Sequence, residues 1–336
     1  MRLASYNIEW FDALFDDDGA LLIDDRWSAR RDVTRAEQAR AIATVLRAVD
    51  ADAVMLIEAP DTSGRRSTVR ALETFAASFD LRTRRAVIGF PNRTQQEIAL
   101  LFDPETMAAH HDPGGRPDDA EAPRFDGRFR IDLDVDASRD TVVFSKPPLE
   151  LMVTLPGGAA LRLLGVHLKS KAPHGARTRD EIMRLAIANR RKQLAQAIWL
   201  RRRVAGHLAA GEPLIVMGDL NDGPGLDEYE NLFGRSSVEI VLGDEAPRLY
   251  DPHVDQALAA RLTAAPTTAR FHIQPDDRYL QALLDYIMIS PDLMSHNPRW
   301  RIWHPFDDPG CWSRPQLRDA LITASDHFPV VLDIDL

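Results

Sequence analysis

Leu214-Ile215-Val216-Met217-Gly218-Asp219-Leu220-Asn221 runs from four apolar residues into a carboxylate and an amide two positions apart. A short apolar run bounded by polar residues reads as a buried strand that stops at the rim of a sheet. The same pattern recurs along the chain. Arg2 to Ile8 alternates and then ends, leaving Asn7 and Glu9 after a first strand. Glu58 follows Ala53-Val54-Met55-Leu56-Ile57, and His167 ends Leu161-Arg162-Leu163-Leu164-Gly165-Val166. Asp285 precedes Tyr286-Ile287-Met288-Ile289, while Asp326 and His327 precede a last strand at Pro329–Ile334. Strand ends carry side chains to one rim of a sheet, where ligand clefts form. One acid after a strand is most often a turn or cap residue; the weight lies in the combination and its order.

Working outward, Ala36–Val49, Thr68–Phe79 and Asp180 to about Gly206 carry apolar residues at helical spacing. Further strands are expected at Ile98–Phe102, Phe129–Val135, Thr141–Phe144 and Glu150–Leu155. The acidic stretch Phe11–Arg30 and the Pro-, Gly- and Asp-rich stretch His110–Phe125 read as loops. There is no internal repeat and no low-complexity linker. Strands in irregular alternation with few helices predict an α/β chain. Two packed sheets with helices outside would form one domain over residues 1–336.

The chain has 336 residues, 45% hydrophobic and 27% charged, an ordinary globular balance that can bury a large core without staples. Its one cysteine, Cys311, excludes an intrachain disulfide and a cysteine-based zinc site. No apolar leader opens the sequence and no run of 18 apolar residues occurs, so no membrane span is expected and the cytoplasm is the expected location. The net charge of −10 argues against a surface that grips nucleic acid everywhere. Charge is uneven, however. Residues 12–25 hold six aspartates, and residues 169–203 hold eleven Lys and Arg against two acids. The basic run reads either as a solvated helix face or as a local wall that attracts anions.

Carboxylates, an amide oxygen and water suit Mg²⁺ or Mn²⁺. No HExxH, GxxxxGK[ST], GxSxG or strand-linked GxGxxG occurs, which withdraws support from zincin, nucleotide-driven and serine-hydrolase chemistry. The ordered set Tyr6-Asn7-Ile8-Glu9, Ile57-Glu58, His167-Leu168-Lys169-Ser170, Gly218-Asp219-Leu220-Asn221, Leu284-Asp285-Tyr286 and Ser325-Asp326-His327-Phe328-Pro329-Val330 resembles the endonuclease/exonuclease/phosphatase superfamily.

That resemblance implies a four-layer α/β sandwich of two packed mixed β-sheets flanked by helices, and a metal-dependent phosphoesterase. It implies that Asn7 and Glu58 sit by the metal, with Glu58 the principal ligand and Glu9 and Asp326 near it. Asp219 and Asn221 would orient the attacking water and the phosphate, His327 would pair with Asp285, and His167 would contact the scissile phosphate. In that setting Lys169, Lys171 and Arg177 are candidates to hold a polyanionic backbone, and Arg201-Arg202-Arg203 reads as solvated surface. Trp10, Phe11 and Trp27 are read as core or loop anchors, with base stacking as the alternative.

Three departures stand out. Glu9 replaces the usual Asp, Ile57 replaces the usual Gln, and no tyrosine lies between Tyr6 and Tyr229. The deoxyribonuclease branch pairs its counterpart of His167 with a glutamate; Glu97 is the candidate here, with Gln96 equally close. The first reading is a nuclease that hydrolyses the phosphodiesters of a nucleic acid, and the second is a phosphatase or phospholipase C-type phosphoesterase acting on a small or lipid phosphate. A binding module is the third reading. Nothing in the sequence sets an oligomeric state.

Overall fold

Ala53–Ile57 is apolar at every position because both its faces are covered. Val54 and Leu56 join a cluster with Ala39, Ile42, Leu72 and Leu321, all on helices. Met55 and Ile57 point the other way, into a cluster with Leu149, Leu151, Leu163, Ile215 and Ile287 of a second sheet. The two-residue period of a strand therefore separates two cores.

The computed structural model describes every residue except 93, 95, 134–139, 174, 226–233, 261–263 and 274–275. In chain order its elements are β1 (Arg2–Asn7), α1 (Arg35–Val49), β2 (Ala53–Pro60), α2 (Thr68–Ser78), β3 (Arg85–Ile88), β4 (Gln96–Phe102), β5 (Ala108–His111), β6 (Phe129–Ile131), β7 (Asp140–Val142), β8 (Leu149–Thr154) and β9 (Ala160–His167). There follow α3 (Arg179–Ala209), β10 (Leu214–Asp219), α4 (Ser237–Leu242), α5 (Pro252–Ala259), β11 (Ala269–Ile273), β12 (Arg278–Ala282), β13 (Asp285–Ile289), β14 (Arg299–Ile302), α6 (Pro309–Trp312), α7 (Pro315–Ala324) and β15 (Val330–Asp333).

One sheet runs β14-β15-β1-β2-β4-β3 and the other β13-β10-β9-β8-β5. Both are mixed: β1–β2 and β9–β10 are parallel, and the remaining pairs are antiparallel. A third cluster, with Trp199 and Leu200 of α3 and Val238 and Val241 of α4, covers the outer face of the second sheet at Leu164, Val166 and Val216. Helices, sheet, sheet and helices make the four layers expected. Where the sheets face each other, Gly165 allows close approach: a Cβ there would lie 2.4 Å from Met55 Sδ.

The long helix α3 starts at a capping box, in which Thr178 and Glu181 exchange side-chain to backbone hydrogen bonds. Three of its arginines turn inward. Arg190 is buried and bonds Asp222 Oδ2 at 2.6 Å. Arg203 bonds the carbonyls of Ala122 and Pro123, and Arg201 those of Leu242 and Pro247. The expectation of a solvated Arg201-Arg202-Arg203 surface is thus corrected for Arg201 and Arg203, while Arg202 stays at the surface, paired with the exposed Glu121. Arg201 and Arg203 clasp loop and helix-end carbonyls, which an arginine fork does well. Strands β3, β5 and β14 and the β11–β12 hairpin add to the sequence reading. The end of the strand expected over Phe129–Val135 lies outside the described residues.

Candidate active site

Parallel pairing brings strand ends to one rim. Asn7 closes β1, His167 closes β9 and Asp219 closes β10, while Asp285 opens the antiparallel β13. In register, Asp219 lies beside His167 on one side and Asp285 on the other. The other sheet contributes Asn7, Glu58, Asp326 and His327. These residues, with the exception of Asp285 behind His327, line one cleft of about 1130 Å³.

Glu58 reaches the cleft through a break in its strand. The register against β4 shifts between Ile57 and Ala59, and Glu58 takes a left-handed φ of 65°. A bulge of this kind re-aims a side chain. Its carboxylate accepts from Gln96 Nε2 at 2.5 Å. Burial, then the nearby carboxylates of Asp326 and Glu9, outweigh Lys146 and His327 and push Glu58 up to about 7.

Asp219 is the hub of the polar network. Its Oδ2 accepts from Asn7 Nδ2 and Asn221 Nδ2, both at 3.1 Å, and its Oδ1 from the Asn221 amide at 2.7 Å. Asn221 is held in a left-handed turn at φ 52°, a conformation asparagine tolerates. Burial first, and Asp285 next, raise the Asp219 carboxyl above the usual carboxylate range. Gly218 makes the tight pairing possible, since a Cβ there would lie 2.0 Å from the Val166 carbonyl oxygen.

His327 Nδ1 lies 2.7 Å from Asp285 Oδ2. Burial opposes a charge on His327, but Asp285, with Asp219 and Asp326 behind it, outweighs burial and raises the imidazole well above its ordinary range. Thr268, absent from the sequence reading, fixes this pair. Its hydroxyl donates to Asp285 Oδ2 at 2.8 Å and accepts the Leu284 and Asp285 amides at 3.0 Å. Ser325 ties the segment leading into β15 to the end of the neighbouring β1, donating to the Asn7 carbonyl at 2.8 Å and accepting from the Glu9 amide at 3.1 Å.

His167 is not partnered by Glu97. That carboxylate is buried elsewhere, takes Asn92 Nδ2 at 2.6 Å, and is pushed up to about 7 by burial. Facing His167 Nδ1 at 3.1 Å is instead Lys146 Nζ. Lys146 lies on an irregular stretch between β7 and β8, where no periodicity or motif draws attention to it. Gln96, the alternative to Glu97, is in the cleft.

Glu9 is tied to Arg30 and to Trp10 Nε1, so its carboxylate is engaged at the rim. Lys169 lines the cleft and makes no ion pair among the described residues. Lys171 lines it too, bonded to Asp222 Oδ1 at 2.9 Å. Arg177 is exposed ahead of α3 and is not part of the lining. Trp10 borders the cleft, Trp27 is exposed, and Phe11 is core.

Two groupings have the chemistry of a cation site. Asp219, Asp285 and His327 place ligand atoms within 4.8 Å of one another. Their hydrogen bonds and the favoured imidazolium make this a proton-holding cluster, and the positive His327 would repel a cation. Asn7 and Glu58 fit better. Asn7 Oδ1 is buried with no hydrogen-bond partner, although its amide nitrogen is engaged by Asp219. A hard cation satisfies such an oxygen and relieves the mutual repulsion of Glu58, Glu9 and Asp326.

The sequence matches the Endonuclease/Exonuclease/phosphatase family over residues 4–327. In structure the chain is similar to a truncated TDP2 from Caenorhabditis elegans, at a TM-score of 0.53 and 16% identity, covering 100% of this chain and 97% of that one. It is equally similar to an endonuclease/exonuclease/phosphatase family protein from Bacteroides thetaiotaomicron, at a TM-score of 0.53 and 15% identity, covering 100% and 98%. No curated protein matches significantly. The match spans the strand ends that build the cleft, and on that basis the chain belongs to the endonuclease/exonuclease/phosphatase family, whose members hydrolyse phosphoester bonds.

Proposed function

We propose that this chain is a divalent-metal-dependent phosphodiester hydrolase and that its substrate is a nucleic acid. The observation that carries the reading is the convergence of Asp219, Asn221, the His327–Asp285 pair, His167 and Glu58 on one cleft. Asn7 and Glu58, with Asp326 and Glu9, would hold Mg²⁺ or Mn²⁺, which when bound supplies charge neutralisation at the phosphoryl oxygens. Asp219 takes the proton of the attacking water, Asn221 fixes its approach, and His327, charged by Asp285, donates to a nonbridging oxygen.

Cations favour the nuclease reading. Lys146, Lys169 and Lys171 line the cleft, and a second groove of about 630 Å³ adjoins it over Asp326 and Phe271. Arg30, Arg31 and Arg270 line that groove, so a polyanionic chain has a continuation there. The second reading, a phosphodiester with an apolar arm, is favoured by the opposite wall of the main cleft, where Phe271, Ile273, Leu280 and Leu283 lie on or beside the β11–β12 hairpin.

The test is turnover with Mg²⁺ or Mn²⁺ on plasmid DNA, RNA, a sphingolipid, inositol phosphates and bis-p-nitrophenyl phosphate, with Asp219→Ala and His327→Ala alongside. Each variant is expected to lose about 10²–10⁴-fold in kcat, the range of acid–base help, while keeping its circular dichroism. Near wild-type turnover in either variant overturns the assignment.

A further inference from the structure

A relay of three hydrogen bonds, through Gln96 and Lys146, ties Glu58 to His167. Gln96 Nε2 donates to Glu58 Oε2 at 2.5 Å, Lys146 Nζ donates to Gln96 Oε1 at 2.5 Å, and Lys146 Nζ also meets His167 Nδ1 at 3.1 Å. An ammonium group has donors and no acceptor. It can therefore face Nδ1 only if that nitrogen offers its lone pair, which places the proton of the neutral ring on Nε2. The amide of Gln96 is fixed by the same logic. Turned over, it would set its NH₂ against the ammonium and its oxygen against the carboxylate.

We propose that Lys146 is a positioning residue that holds His167 in its Nε2–H form, making it a standing hydrogen-bond donor into the cleft and not a base. His167 Nε2 lies 3.9 Å from Glu58 Oε1 and 3.7 Å from Asp219 Oδ2, beyond a hydrogen bond to either. Its N–H thus faces the gap between them, where a nonbridging phosphoryl oxygen would be received. The fixed charge of Lys146 behind the ring polarises that N–H and strengthens it as a donor. His327 has the opposite arrangement, since its Nδ1 faces a carboxylate and carries a proton. The two histidines of the cleft are consequently not interchangeable: a carboxylate backs one and an ammonium the other.

This inference rests on the hydrolase reading for its purpose but not for its test. The full chain, labelled with ¹⁵N-histidine and free of metal, is compared with Lys146→Met and Lys146→Arg by long-range ¹H–¹⁵N spectra, with His167→Asn assigning the resonance. The wild-type ring is expected to show an unprotonated Nδ1 and a protonated Nε2. Lys146→Met should shift His167 toward the other tautomer, and Lys146→Arg, which can still donate, should restore the wild-type pattern. On bis-p-nitrophenyl phosphate with Mn²⁺, Lys146→Met should lose roughly 10–100-fold in kcat, as is usual when an orienting partner is removed, with KM little changed. A wild-type Nδ1 that carries the proton overturns the proposal. So does a Lys146→Met chain with unaltered tautomer and kcat. A wild-type chain that cleaves no phosphodiester but shows the Nε2–H pattern supports the role of Lys146 and sinks the hydrolase reading alone.

Discussion

Glu97 illustrates how one residue can be informative for the wrong reason. Its position in sequence suggested a partner for His167, but strand alternation sends it to the opposite face from Gln96, where it is buried against Asn92. Its folded pKa of about 7 lies above the ordinary 4.5. The folded chain therefore keeps a proton that the unfolded chain releases, and stability present below pH 4.5 is lost as pH rises toward 7. At about 1.4 kcal/mol per unit, that loss is on the order of 3–4 kcal/mol. Thermal melts of Glu97→Gln against the wild type from pH 4 to 8 should show a shallower decline in the variant; parallel curves would refute this. The carboxylates and histidines at strand ends were legible from the sequence because each follows an apolar run. Lys146 and Thr268 were not read as site members, and Ser325 stood in a motif without a role, since none has a periodicity of its own and their roles exist only once distant strands meet.

At the scale of elements, strands buried on both faces announced themselves as unbroken apolar runs, whereas β3, β12 and β14 are partly or largely exposed and short, so no run marks them. The basic run of α3 was the harder case. A count of charges cannot distinguish a wall facing the substrate from arginines facing loop carbonyls, because that depends on which side of the helix is covered. Arg190 shows what the helix contributes. It binds Asp222, whose Oδ2 also accepts the Ser237 amide at 2.7 Å, and so fastens the turn that presents Asn221 to the cleft. Removing one member of a buried pair typically costs about 3–5 kcal/mol. Arg190→Met is expected to lower the urea midpoint by a corresponding amount and to reduce kcat as the Asn221 turn loosens. An unchanged midpoint would show that the pair is dispensable.

For the molecule as a whole, the cleft exists only where two sheets are held face to face. Asn7, Glu58 and His327 belong to one sheet, and His167, Asp219 and Asp285 to the other, and the Asn7–Asp219 and His327–Asp285 hydrogen bonds join the two directly. The spacing is set below the cleft, where Gly165 meets Met55 and Ile98. Gly165→Ala should wedge the sheets apart and lower both melting temperature and kcat, although it touches no reacting group. Met55→Ala placed beside it should restore much of both, giving a favourable coupling in a double-mutant cycle. Simple additivity would mean that the sheets tolerate the extra methyl group.

The left-handed backbone at Glu58 has a consequence for how such a chain would decay. A side chain with a Cβ is disfavoured there by about 1–2 kcal/mol, and the carboxylate must also be housed near like charges. Glu58→Gly is expected to melt no lower than the wild type at pH 8 while losing metal-dependent turnover. A lineage released from selection for hydrolysis would meet no folding barrier at this position, and glycine there would mark it as having abandoned its chemistry.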